Sequence, residues 1–153
     1  MTRTYLVFDV NRYRRLAEEV VRDGDVVVEV GAAAGDTTVR LAERAELVIA
    51  FEKSDEMYRK LLDRVENLDN VVPLHEDGFR LGEVLERTDR VDAVFIDVGG
   101  GAQPRLALAL WEAYYVRFRP RVMVVRNRRL CRLVRTVEEV EDVEADAEGD
   151  EEV

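Results

Sequence analysis

Four short segments carry residue types that suit a nucleotide-like ligand. Glu29-Val30-Gly31-Ala32-Ala33-Ala34-Gly35-Asp36-Thr37-Thr38 sets two glycines around three alanines, directly after a β-branched run. Small residues let a ligand approach the backbone, and a helix starting near Asp36 or Thr37 aims free N–H groups at it. A tight turn that needs small residues only for packing would read the same way. The glycines are four apart with Ala33 between them, so the stretch does not fit the Gly-x-Gly-x-x-Gly dinucleotide pattern. Glu52, at the end of a second apolar run, is a carboxylate able to accept both hydroxyls of a ribose. The third segment, His75-Glu76-Asp77-Gly78-Phe79, offers Asp77 to an exocyclic amine and Phe79 to a purine ring. The fourth, Phe95-Ile96-Asp97-Val98-Gly99-Gly100-Gly101, offers Asp97 as a proton acceptor or as a cap for the following turn.

These segments need a scaffold that gathers strand ends on one edge. Short β-branched runs at 25–30, Leu47–Phe51, Val71–His75, Val91–Val98 and Arg121–Val125 predict five buried strands of a parallel sheet. Helical patterns separate them. Tyr13, Leu16, Ala17, Val20 and Val21 follow a cap at Asn11, and Tyr58, Leu61, Leu62 and Val65 follow a cap at Ser54. Pro104 opens a helix through Leu106, Leu110, Trp111, Tyr114 and Phe118. Leu130, Val134 and Val137 form a last stripe. Alternation of this kind predicts an α/β fold, and open sheets of that class bind ligands at the strands' carboxyl ends.

In this order and spacing, residues 26–38, Leu47–Lys53, Asn70–Phe79 and Val91–Gly100 resemble the class I S-adenosylmethionine-dependent methyltransferases. The Gly-Ala-Ala-Ala-Gly-Asp-Thr-Thr stretch further resembles that of the fibrillarin-like RNA 2′-O-methyltransferases. The resemblance implies a Rossmann-like, mostly parallel sheet of order 3-2-1-4-5 over residues 1–140. It also implies S-adenosyl-L-methionine as cofactor. Carried across by position, Glu29, Gly31, Ala32, Ala33, Gly35 and Thr37 form the first cofactor-binding loop. Glu52 and Lys53 serve the ribose, Asp77, Gly78 and Phe79 the adenine, and Asp97 lies beside the transferred methyl group as the catalytic candidate. The Asn/Asp-Pro-Pro-Tyr signature of amino-group methyltransferases is replaced by Asp97-Val98-Gly99-Gly100. The family's lysines around the aspartate are replaced by Arg126, and the usual C-terminal strand hairpin has no residues left to build it. The alternatives are a non-catalytic S-adenosylmethionine sensor or partner subunit, and a nucleotide-binding module of another family.

The chain has 153 residues and a formal net charge of −10. Ten acids and no base lie in residues 138–153, and the rest is neutral, with 23 acids and 23 bases. This predicts a disordered acidic tail over 141–153. Eight arginines and no acid lie in residues 113–137, which makes RNA the first candidate partner through Arg117–Arg135. A solvated basic face paired with the tail is the other reading. No apolar run approaches a membrane span, and Asp9 comes too early for a signal-peptide core. One cysteine, Cys131, allows neither an internal disulfide nor a multi-cysteine metal site. A cytoplasmic protein with no bound metal is expected. The fifth predicted strand would leave an open edge, to be covered by Thr4–Phe8 folding back or, preferred here, by a second copy in a homodimer.

Overall fold

The computed structural model describes residues 1–141. The predicted acidic tail lies outside the described residues beyond Glu141. In chain order the elements are β1 (Arg3–Val7), α1 (Val10–Val20), β2 (Val26–Val30), α2 (Asp36–Ala42), β3 (Leu47–Phe51), α3 (Asp55–Val65) and β4 (Val71–Leu74). They continue as α4 (Leu81–Leu85), β5 (Ala93–Ile96), α5 (Pro104–Phe118), β6 (Val122–Arg126) and α6 (Arg128–Thr136), with a 3-10 turn at Gly99–Gly101.

The strands form one parallel sheet of order β1-β6-β5-β2-β3-β4. The five predicted strands are β2 to β6, so the expected 3-2-1-4-5 arrangement is present and β1 extends it by one strand. The expectation that a second copy covers the β6 edge is corrected: β1 lies there, parallel, with Arg3 beside Val122 and Val7 beside Arg126. Arg3 N–H donates to the Arg121 carbonyl and Asn127 N–H to that of Val7, both at 3.0 Å. Crossing the sheet after β1 builds core, because α1 buries Tyr13, Leu16 and Ala17 on the way to β2. The α1 cap is Asp9, whose carboxylate accepts from Arg12 N–H at 3.0 Å, not the predicted Asn11. Ser54 caps α3 as expected, and Pro104 opens α5.

Strand alternation divides the core in two. Val27, Ala50, Ala93, Phe95, Val122 and Val124 face α1, α2 and α3. Val28, Val30, Ile49, Phe51, Ile96 and Val125 face α4 and α5. Burial of both faces explains why β5 and the first four residues of β6 read as unbroken apolar runs, and why β2 reads as one interrupted only by the buried Glu29. Pro73, which cannot donate to a ladder, sits in the edge strand β4. The predicted stripe of α6 is corrected. Leu130 and Cys131 are its buried residues, while Val134 and Val137 are 60% and 58% exposed.

Candidate active site at the carboxyl edge of the sheet

A cavity of about 470 Å³ opens where β2, β3, β4, β5 and β6 end. Gly31, Ala33, Glu52, Lys53, Asp77, Gly78 and Asp97 all line it. Val98, Gly99, Gly100, Gln103, Leu106 and Arg126 complete the wall on the α5 side. Of these, Val98, Gly99 and Gly100 belong to the strand-end motif, Leu106 reads in sequence only as part of the helix stripe, Arg126 stands where the resembling family has lysines, and Gln103 carries no sequence signal. The loop leading into α5 has no composition that separates a wall residue from a helix cap.

The glycines are required by close approach. Gly31 has φ +87°, and a Cβ there would collide with the Asp97 carbonyl oxygen. A Cβ on Gly78 would run into a methyl of Val30. Gly35 acts elsewhere. A Cβ on it would press on Leu61 and Arg64 of α3, so it seats α2 against α3.

The carboxylates are held by backbone. Glu52 accepts from Ala33 N–H at 2.7 Å and from Ser54 N–H at 2.8 Å, which ties the ends of β2 and β3 together. Asp77 accepts from Phe79 N–H at 2.9 Å and pairs with Lys53 at 3.4 Å. His75, just past β4, approaches the Lys53 carbonyl at 3.0 Å and Asp55 at 2.9 Å, and its ring stacks on Tyr58. It therefore braces the loop that carries Glu52.

Glu29, Ala32, Gly35, Thr37 and Phe79 do not line the cavity. Glu29 is 1% exposed and accepts from the Thr38 hydroxyl, which anchors α2 to β2. Burial, with the nearby charges of Asp97 and Glu52, outweighs that bond and lifts the Glu29 carboxyl to about 7. Ala32 and Thr37 are buried, and Phe79 is 39% exposed.

Asp97 faces Arg126 across the β5–β6 boundary, at 3.1 and 3.2 Å from its two carboxylate oxygens. Both side chains are mostly shielded, at 16% and 15% exposure. Burial holds the Asp97 carboxyl above the ordinary carboxylate range, against the opposing pull of Arg126 and, more weakly, Arg14. Glu29 is in register with Phe95, and Phe95 with Val124, so Glu29, Asp97 and Arg126 project to the α1 face. There the ring of Tyr13 packs edge-on against Phe95, with centroids 5.6 Å apart.

The arginine block of residues 117–135 does not form one surface. Arg121 lies at the amino end of β6 and pairs with buried Asp25 at 2.7 Å. Arg117 and Arg119 precede it, away from the cavity. Arg126 and the exposed Arg128, Arg129, Arg132 and Arg135 of α6 follow the carboxyl end. The candidate RNA-contacting stretch Arg117–Arg135 is thus divided between the two ends of β6. Among the described residues no group of His, Cys, Asp and Glu could hold a metal ion, and no helix is long and apolar enough to cross a membrane.

Comparison with known proteins supplies the family. "Ribosomal RNA small subunit methyltransferase A" of Moorella thermoacetica is 33% identical over 109 residues, covering 71% of this chain and 36% of that protein. A fibrillarin-like rRNA/tRNA 2′-O-methyltransferase of Methanococcus maripaludis is 33% identical over 89 residues, covering 57% of this chain and 37% of the relative. The chain thus spans little more than a third of the length of these relatives. Aeropyrum pernix fibrillarin, solved with natively bound S-adenosyl-L-methionine, superimposes with a TM-score of 0.56 at 22% identity, over 71% of this chain and 48% of that one. The family model described as Fibrillarin matches residues 11–145, and the chain belongs to the fibrillarin family.

Proposed function

We propose that the cavity binds S-adenosyl-L-methionine and that the chain transfers its methyl group to an RNA hydroxyl, the ribose 2′-OH. The observation that carries this reading is the Asp97–Arg126 pair at the wall of the same cavity that Glu52 and Asp77 line. The residues fit the cofactor. The absence of side chains at Gly31 and Gly78 lets the ends of β2, β4 and β5 pack together, and both glycines present backbone to the cavity. Glu52, fixed by two backbone N–H groups, keeps lone pairs for ribose hydroxyls, and Asp77 can accept from an exocyclic amine. The Phe79 ring, read from sequence as an adenine contact, lies outside the cavity wall, and Leu106 and Leu110 offer apolar surface in its place.

The bound cofactor supplies a methyl group already activated on a sulfonium. What remains for the chain is to hold the acceptor oxygen in line and to receive its proton. Asp97 receives it at a carboxylate oxygen. Arg126 favours the ionised form of that carboxylate against the effect of burial and fixes its orientation through one nitrogen. The names of the relatives, which include rRNA and tRNA methyltransferases, support RNA as the acceptor. The α6 arginines, at the same sheet edge, suit its phosphates.

Calorimetry with S-adenosyl-L-methionine, followed by transfer of labelled methyl from it to total RNA, tests the reading. Binding with transfer supports it. Binding without transfer to RNA, protein or metabolite extracts makes the chain a non-catalytic binder, and absence of binding removes the cofactor.

A further inference from the structure

The N-terminal strand does more than close the sheet. Phe8, the residue after β1, is 36% exposed, whereas Val7 before it is buried. Its carbonyl accepts from Arg126 Nε at 3.4 Å. The same guanidinium holds Asp97 through Nη1. Phe8 is therefore fastened one side chain away from the proposed proton acceptor. Two guanidinium groups of α6 lie over its ring, Arg135 at 5.6 Å and Arg132 at 5.9 Å from the centroid. Among the described residues neither lies within salt-bridge distance of a carboxylate, and the same holds for Arg128 and Arg129. A shallow groove of about 310 Å³ runs beside the ring, with Tyr5, Val7 and Leu16 as apolar walls and Asp9 and Arg12 at its polar end.

We infer that Phe8, Arg132 and Arg135 form a stacking subsite for an unpaired nucleotide of single-stranded RNA, next to the Asp97–Arg126 pair. The inference rests on the RNA reading above and narrows it to one place. An exposed aromatic ring under guanidinium planes combines the two surfaces on which splayed bases stack, and the same guanidiniums neutralise phosphates. An acidic peptide would use the charge but not the ring. An apolar protein surface would use the ring but leave four cations without partners. The subsite also gives β1 a role in substrate placement: the strand that covers β6 carries the stacking residue to the same sheet edge as Arg126. The arginines at the other end of β6, Arg117 and Arg119, take no part.

The test is fluorescence anisotropy with a short, fluorescein-labelled single-stranded RNA of mixed sequence, with the full chain, over a series of salt concentrations. Phe8→Ala should weaken binding about tenfold without changing the salt slope, the loss typical of one stacked base. Phe8→Leu keeps apolar bulk at the strand end but has no π face, and should lose affinity to a similar degree with an unchanged melting curve. Phe8→Tyr should bind like the native chain. The double variant Arg132→Ala/Arg135→Ala should bind more weakly with a shallower salt slope, reduced by roughly 1.4 for two phosphate contacts. Arg117→Ala/Arg119→Ala, remote from the subsite, should stay within about twofold of native, because stacking and phosphate contacts act locally. If Phe8→Leu binds normally while Arg117→Ala/Arg119→Ala does not, RNA follows the other edge. The subsite is then wrong, although the RNA reading stands. If the native chain binds no RNA even at low salt, both fall.

Discussion

Arg126 holds Asp97 from a single nitrogen: Nη1 lies 3.1 Å from one carboxylate oxygen and 3.2 Å from the other. The contact joins adjacent strands at their carboxyl ends, in a site where both side chains are largely out of water. Burial alone would favour the neutral acid, and the guanidinium opposes it. Arg126→Ala should therefore raise the Asp97 carboxyl further and leave less carboxylate at neutral pH. The acid limb of the methyl-transfer rate should move to higher pH, and Arg126→Lys should fall between the two. Asp97→Asn should lower kcat by roughly 10²–10⁴-fold, the usual contribution of a positioned base. An acid limb that stays in place in Arg126→Ala would remove Arg126 from this role.

Glu29 makes stability depend on pH. Its carboxyl titrates at about 7 in the folded chain and near the ordinary carboxyl value of 4.5 when unfolded. The folded state therefore binds more protons between those values, and stability falls as pH rises through that window, levelling off above it. The expected loss is about 3 kcal/mol. Glu29→Gln keeps an acceptor for the Thr38 hydroxyl and carries no charge, so its urea midpoint should vary less between acid and neutral pH. A variant with the same pH dependence as the native chain would mean that Glu29 is not the group responsible.

Glycine substitutions separate close approach from mere flexibility. Gly31→Ala drives a Cβ into a backbone carbonyl at φ +87°, so it should cost ~3 kcal/mol or more, or prevent folding. Gly82→Ala in α4 meets nothing within 4 Å, and should be neutral or stabilising by up to ~1 kcal/mol. Thermal melts of the two variants give the comparison. Similar melting temperatures would contradict the packing described for the end of β2.

Glu52 tests the cofactor assignment. Glu52→Ala should weaken S-adenosyl-L-methionine binding by roughly 1.5–3 kcal/mol, the range for hydrogen bonds to charged groups. Part of that loss would come from releasing Ala33 N–H and Ser54 N–H, whose positions Glu52 fixes. Calorimetry on a folded variant with native affinity would separate Glu52 from the ribose.

The strands that carry the site were legible because a sheet buried on both faces leaves apolar runs bounded by turn residues. The same property hid Glu29's role. In Val26-Val27-Val28-Glu29-Val30 every residue is buried, so alternation could not show that its carboxylate points under α2 rather than into the cavity. β1 was harder to read because an edge strand keeps exposed residues, here Arg3 and Thr4, and its partner lies more than a hundred residues away. α4 is five residues long and has no periodicity to detect. The arginine block looked continuous in sequence, but β6 runs through it and carries Arg121 and Arg126 to opposite edges of the sheet. The motif residues Gly31, Glu52, Asp77 and Asp97 came together because each follows the carboxyl end of a parallel strand, and parallel strands end on one edge.

Where the methyl group lands on RNA decides whether Asp97 serves a ribose hydroxyl. After incubation with labelled S-adenosyl-L-methionine, total RNA is hydrolysed in alkali and the labelled products are sized. A 2′-O-methyl group blocks cleavage of the neighbouring phosphodiester, so label in alkali-resistant dinucleotides, lost with Asp97→Asn, is the result expected here. Label in mononucleotides would place the methyl on a base, and would contradict a site in which Asp97 receives the proton of a ribose hydroxyl.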